Sequence, residues 1–297
     1  MLVSSLLLPE IRGVYRKNTL MSRVTWLGTG GIADLIFKPY DTDDLIYFIK
    51  NINLPIDVIG ATSNILIRDG GIKNSVIKLG KEFAYFIYKN NTLRVGGATL
   101  LSRLAYFALE HEIGGMEFLV GIPGTIGGGV AMNAGSYGSS MSDILKSVKA
   151  VNLENGEICV ISNNEMEYFY RGYNLKGKWI FIEAEFKIIK SKYQTIIKTI
   201  KENIGKKKKS QITVGRTAGS FFKNTTHHKA WKLIDKSGCR GLSIGGAKIS
   251  EKHCNFLLNY NNATASDLEN LGNEVQKRVK QKFNIDLEWE VKILGEY

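Results

Sequence analysis

The chain is 297 residues long, 44% hydrophobic and 10% aromatic, enough for two compact domains and too apolar to stay disordered. Three scattered cysteines (Cys159, Cys239, Cys254) and four histidines without an H-E-x-x-H motif exclude a disulfide framework, and no metal site is expected. The formal charge of +12 is uneven, with 25 Lys+Arg against 16 Asp+Glu in residues 151–297 and 15 against 12 before them, so an anionic partner is sought first in the second half.

The opening MLVSSLLLP has no basic flank and no small-residue cleavage site, so it does not read as a signal peptide. No stretch reaches the ~20 apolar residues of a membrane helix, and a cytoplasmic protein is expected. WLGTGGIADLIFKP predicts β-structure around glycine turns, Thr42–Asn51 a short helix after Asp41, and VIGATSNILI, SVIKLG and LRVGG short strands. Apolar residues at three- and four-residue steps make Leu100–Glu112 an amphipathic helix. Strands are expected at 147–152, 157–161 and 179–190, the last with Ile180, Ile182 and Ala184 on one face. Lys192–Ile204 reads as a helix and KKKKSQ (206–211) as a connector, with Lys206–Lys209 a solvated basic loop. A short helix at Ala230–Lys236 and strands near 247–249 and 255–259 follow. A long helix starts at 266, with Ser266 and Glu269 at capping-box spacing and Leu268, Leu271, Val275 and Val279 on one face. LEWEVKIL alternates Trp289, Val291 and Ile293 against Glu288, Glu290 and Lys292, which leaves Glu288 and Glu290 equivalent. The organisation is α+β throughout: a domain over 1–192, with subdomains of about 1–80 and 81–192, and a smaller one over 193–297.

Glycine clusters point to nucleotide chemistry of a particular kind. Gly28-Thr29-Gly30-Gly31-Ile32-Ala33 satisfies G-x-G-x-x-A, but a strand-like run ending at Pro39 follows it, so a glycine turn is favoured over a dinucleotide fingerprint. Gly172–Lys178 has P-loop spacing, yet Trp179 stands where Mg²⁺ needs a hydroxyl. Gly60-Ala61-Thr62-Ser63-Asn64-Ile65 lies between apolar strands, and Gly121-Ile122-Pro123-Gly124-Thr125-Ile126-Gly127-Gly128 runs on towards Asn133 and Gly135. Glycine lets main-chain N–H groups close on an anion, and Ser63, Asn64, Thr125 and Asn133 add hydrogen-bonding side chains. The pair of loops favours a phosphate-bearing cofactor.

GATSNILIRDGG (60–71) and GMEFLVGIPGTIGGGVAMNAGSYG (115–138), followed in order by YFYRG (168–172), AGSFFKN (218–224) and LEWEVKILG (287–295), resemble the UDP-N-acetylenolpyruvoylglucosamine reductase (MurB) family. The likeness runs from about residue 12 to 295. Thr62 stands where that family usually has glycine, and Trp289 and Thr225 where it commonly has proline. The short interval from Arg171 to Ser220 resembles the form without an extra substrate-closing loop.

The resemblance implies an FAD-binding domain of the PCMH/vanillyl-alcohol-oxidase type followed by a substrate-binding domain. It implies non-covalent FAD held by Gly60, Ala61, Thr62, Ser63, Asn64, Ile65, Gly121, Ile122, Pro123, Gly124, Thr125, Gly127, Gly128, Asn133 and Gly135. NADPH is the implied reductant, and an enolpyruvyl ether of UDP-N-acetylglucosamine the implied substrate, reduced to UDP-N-acetylmuramate for peptidoglycan synthesis. Hydride from flavin N5 would reach the vinyl carbon while charge builds towards the carboxylate. Arg171 then becomes the carboxylate clamp, Ser220 the proton donor and Glu290 the acid beside the carboxylate. Lys223, Asn224 and, more weakly, Arg216 are expected at the UDP group. A monomer is expected, with no membrane or nucleic-acid partner.

Two other readings stay open on sequence. Another FAD-linked oxidoreductase of the same cofactor fold is one, although covalent relatives tether flavin through an early histidine and none precedes His111. The other is a basic nucleic-acid-binding protein, but outside 206–209 and 277–282 the bases are dispersed among acids.

Overall fold

The computed structural model describes residues 8–211 and 215–297; residues 1–7, on which the signal-peptide reading rests, lie outside the described residues. The chain forms two interleaved compact units, one of residues up to 16, 35–61 and 74–206, the other of 17–34, 62–73 and 207–297. The first unit thus runs past the 192/193 position suggested by sequence. No helix among the described residues is long and apolar enough to cross a membrane.

The first unit is built on a five-stranded antiparallel sheet in the order Ile158–Ser162, Leu145–Asn152, Trp179–Phe186, Thr92–Gly96, Phe86–Lys89. Trp179–Phe186 is the middle strand because its residues are apolar on both faces: Ile180, Phe181, Ile182, Ala184 and Phe186 are all buried. Helix Leu101–Glu110 lays Leu101, Leu104, Ala105 and Ala108 into the core formed with Val148, Phe181 and Phe186. Elsewhere in the unit, Asp41 caps helix Thr42–Asn51 by accepting from the Asp44 N–H at 2.9 Å. Strand Ile56–Val58 runs parallel to Ile72–Ile77, with Val58 opposite Ile77.

The lysine run corrects an expectation. Helix Tyr193–Ser210 continues through Lys206–Lys209, so this segment is neither connector nor loop. Ile196 and Ile200 anchor the helix on Leu109, lysine is a good helix former, and cations suit the last turn. Lys207 is half-buried, and burial pulls its ammonium below the usual lysine range.

In the second unit, Leu268, Leu271, Val275 and Val279 of helix Ala265–Phe283 are buried. They share a core with the sheet Ser243–Ile244, Ala247–Ile249, Leu257–Asn259 and with helix Ala230–Lys236. The capping box is Thr264 with Asp267, not Ser266 with Glu269. Ser266 lies inside the first turn and donates its hydroxyl to Asp69 at 2.9 Å, while Glu269 is drawn into a two-pronged pair with Arg68 at 3.0 and 2.8 Å.

The last strand is shorter than its alternation predicts. Only Lys292–Leu294 is a strand, parallel to Ile65–Ile67. Residues 288–290 form a different ladder: Lys223 N–H donates to Glu288 O (2.8 Å), Phe222 bridges Trp289, and Glu290 N–H donates to Phe221 O (2.7 Å). The chain changes partner at Glu290, which breaks the two-residue period.

Candidate active site

In the first unit Gly60 lies against Thr125. A Cβ on Gly60 would come 2.8 Å from Thr125 Oγ1, so only glycine leaves that space open. Thr125 caps helix Ile126–Ala131, accepting from Gly128 N–H at 3.3 Å. The Gly127 N–H is spent on Gly97 O and the Ile126 N–H on Thr99 O, both 2.8 Å. Gly124 has φ +148°, and the N–H groups of Gly124 and Thr125 find no acceptor among the described residues. Adjacent half-buried donors of this kind form a concavity for an anion, and they fit the diphosphate of a dinucleotide.

Asn133, by contrast, uses both ends of its amide inside the protein. Its Nδ2 donates to Phe169 O and its Oδ1 accepts from Ser142 N–H, each at 3.0 Å. Phe169 belongs to a hairpin of Tyr168–Phe169 and Gly172–Tyr173, with Arg171 in its turn at φ +64°. Arg171 Nη2 donates to Gly135 O at 2.9 Å, and its guanidinium lies 4.8 Å from the Tyr170 ring centroid. The 133–135 segment therefore pins the hairpin and its arginine together. Burial pushes the phenols of Tyr168 and Tyr173, paired across the hairpin, above the usual tyrosine range, so both stay neutral.

The second unit holds the remaining expected residues. Thr62 is buried at φ +58°, left-handed backbone that strains a β-branched residue. Its hydroxyl donates to Val24 O at 3.0 Å. A hydroxyl has one proton to give, and this one secures the loop. Ser63 is buried beside it. Asn64 Nδ2 donates to Glu290 O at 3.1 Å, and Lys292 N–H donates to Asn64 O at 3.0 Å.

Ser220 is half-buried and bridges Phe256, and its hydroxyl makes no hydrogen bond among the described residues. The next two residues are fastened by Asn255. Its main-chain O accepts from Phe221 N–H (2.9 Å), its Oδ1 accepts from Phe222 N–H (3.0 Å), and its Nδ2 donates to Phe222 O (2.8 Å). Sequence reasoning missed Asn255, which lies in no recognisable motif. Glu288 and Glu290 are now distinct. The Glu288 side chain is 74% exposed and paired with Lys223 Nζ at 3.1 Å, whereas Glu290 is half-buried, one residue across the ladder from Ser220. Asn224 Oδ1 accepts from Ala230 N–H at 3.0 Å at the start of the Ala230–Lys236 helix. Arg216 is exposed, with its side chain over Gly28.

A family model described as "UDP-N-acetylenolpyruvoylglucosamine reductase, C-terminal domain" matches residues 208–294, and one described as "FAD binding domain" matches 33–162. A UDP-N-acetylenolpyruvoylglucosamine reductase of Wolbachia sp. subsp. Brugia malayi (strain TRS) is 62% identical over 291 residues, covering 98% of this chain and 99% of its own. That of Anaplasma marginale (strain St. Maries) is 52% identical over 288 residues, covering 97% and 96%. The crystal structure of the reductase from Thermus caldophilus aligns with a TM-score of 0.84 at 31% identity, covering 96% of this chain and 100% of the other.

Proposed function

The chain belongs to the UDP-N-acetylenolpyruvoylglucosamine reductase family, and from that we infer how its own residues divide the work of the reaction. It is an FAD-dependent oxidoreductase of peptidoglycan precursor synthesis, with NADPH as reductant. The observation that carries this is 62% identity over essentially the full length of both chains.

When bound, FAD supplies the two-electron relay between NADPH and the enolpyruvyl ether. Residues 60–65 and the 121–128 loop would hold it, the Gly124 and Thr125 N–H groups serving the diphosphate. Arg171, always charged and planar, binds the substrate carboxylate through two parallel hydrogen bonds and stabilises the charge that builds there. Its bond to Gly135 O fixes the orientation of the guanidinium. Ser220 delivers a proton to the carbon bearing the carboxylate, which suits a hydroxyl with no other proton acceptor among the described residues. Glu290 works beside it, held to the same ladder by its own N–H. Lys223, paired with Glu288, places a cation for the UDP group, with Asn224 next to it and Arg216 at the periphery.

We also place the chain in the cytoplasm as a monomer, in keeping with two water-soluble nucleotide substrates. The decisive assay is NADPH oxidation by the FAD-loaded protein with and without UDP-N-acetylenolpyruvoylglucosamine. Oxidation that depends on the sugar nucleotide supports the reading; a protein that takes up no FAD, or whose reduced flavin the sugar nucleotide does not reoxidise, sinks it.

A further inference from the structure

Gly272 lies in the interior of the 19-residue helix Ala265–Phe283 and is buried. Glycine there costs about 1 kcal/mol relative to alanine, so a local reading offers no reason for it. The reason is Trp289. A Cβ on Gly272 would run into Cη2 of that indole and crowd its Cζ2 and Cζ3 atoms. The ring has little freedom to swing aside, because the Phe222 ring lies 4.8 Å away and the Phe221 ring 6.2 Å away, centroid to centroid. Trp289 is also the residue of the 288–290 ladder that bridges Phe222, flanked by the hydrogen bonds of Glu288 O and Glu290 N–H.

We propose that Trp289, seated in the socket left by Gly272, is a positioning residue that sets Glu290 against the Ser220–Phe222 segment. This rests on the role given to Glu290 above. The main-chain ladder fixes the register of residues 288–290, and the indole fixes how closely the ladder approaches the helix. Glu290 follows directly, with its carbonyl held by Asn64. Moving the indole by a few tenths of an ångström shifts the Glu290 carboxyl.

The test measures both half-reactions of the FAD-loaded enzyme by stopped flow. In Gly272→Ala, flavin reoxidation by UDP-N-acetylenolpyruvoylglucosamine should fall about tenfold or more, while flavin reduction by NADPH stays within about twofold. The steady-state loss should fall on kcat rather than KM. Trp289→Phe, which withdraws the ring from the socket, should act in the same direction and serves alone if Gly272→Ala does not fold. Adding Gly272→Ala to Glu290→Gln should slow reoxidation no further, because both changes act through one group. The proposal is overturned if Gly272→Ala and Trp289→Phe both leave reoxidation within about twofold, if both half-reactions fall together, or if Gly272→Ala and Glu290→Gln multiply. A wild-type enzyme whose flavin the sugar nucleotide does not reoxidise would instead overturn the underlying reading.

Discussion

Asn64 donates its side-chain amide to the main-chain carbonyl of Glu290 at 3.1 Å, across 226 residues of sequence. The Lys292 N–H returns a bond to Asn64 O at 3.0 Å. A loop that the sequence marks for the cofactor is thus fastened to the segment bearing the candidate acid. Asn64→Asp replaces the donor with an acceptor facing a carbonyl, and should cost about 1–3 kcal/mol. Urea unfolding with the holoprotein and apoprotein measures it; an unchanged midpoint in both would show that this bond contributes nothing.

Ser220→Ala removes the proposed proton source while leaving the Asn255 fastening of Phe221 and Phe222 in place. Flavin reduction by NADPH should stay close to wild type, and reoxidation by the sugar nucleotide should slow at least a hundredfold. Arg171→Lys should produce the same split, since an ammonium cannot reproduce a two-pronged grip. Equal losses in both half-reactions would contradict these roles.

Asn133→Ala leaves Phe169 O and Ser142 N–H without their partner. Asn133 is itself 7% exposed, so the expected loss of stability is about 1–3 kcal/mol. Because the hairpin also carries Arg171, sugar-nucleotide reoxidation should weaken while FAD stays bound. Loss of FAD with normal turnover of the remaining holoenzyme would instead favour a direct role at the cofactor.

Thr62 combines a strained φ with a useful hydrogen bond. Thr62→Val keeps the branch and loses the bond to Val24 O, and should destabilise by about 1–3 kcal/mol. Thr62→Gly loses the same bond but relieves strain of about 1–3 kcal/mol, so it should fall within about 1 kcal/mol of wild type. Thermal melts of the two variants decide this; Val proving as stable as Gly would mean that no strain is relieved here, and Val as stable as wild type that the bond contributes nothing.

The hydrogen bonds from Arg68 hold the Glu269 carboxyl below the usual carboxylate range, assisted by the Tyr297 hydroxyl. A depressed folded value adds stability that is complete above the unfolded value of about 4.3. That stability drains as pH falls through the folded value. Glu269→Gln should therefore lower stability at neutral pH and flatten the acid limb of a plot of urea midpoint against pH. An acid limb with the same slope as wild type would rule this out.

Much of the protein was legible in local pattern. The Asp41 cap, the three- and four-residue apolar steps of Leu101–Glu110 and the apolar face of Ala265–Phe283 depend on neighbours within a few residues. The glycines of the 121–128 loop likewise marked a main chain built on turns, and Gly124 takes φ +148° there. Tertiary structure decided what depends on distant partners. It extended a helix through Lys206–Lys209 because Ile196 and Ile200 anchor it on Leu109. It moved the capping box from Ser266 to Thr264 because Asp69 and Arg68 claim Ser266 and Glu269. It separated Glu290 from Glu288 because the chain changes pairing partner between them and Lys292.

Composition shows a similar division. The +9 excess of residues 151–297 is a property of the sequence, but the use of each cation is not. Lys223 pairs with Glu288, Lys207 is half-buried at the end of a helix, and Arg171 is bound to Gly135 O. Periodicity and glycine density are local and can be read along the chain. Which donor meets which acceptor depends on segments brought together only when the apolar faces are buried, and that is where the chemistry of this enzyme is set.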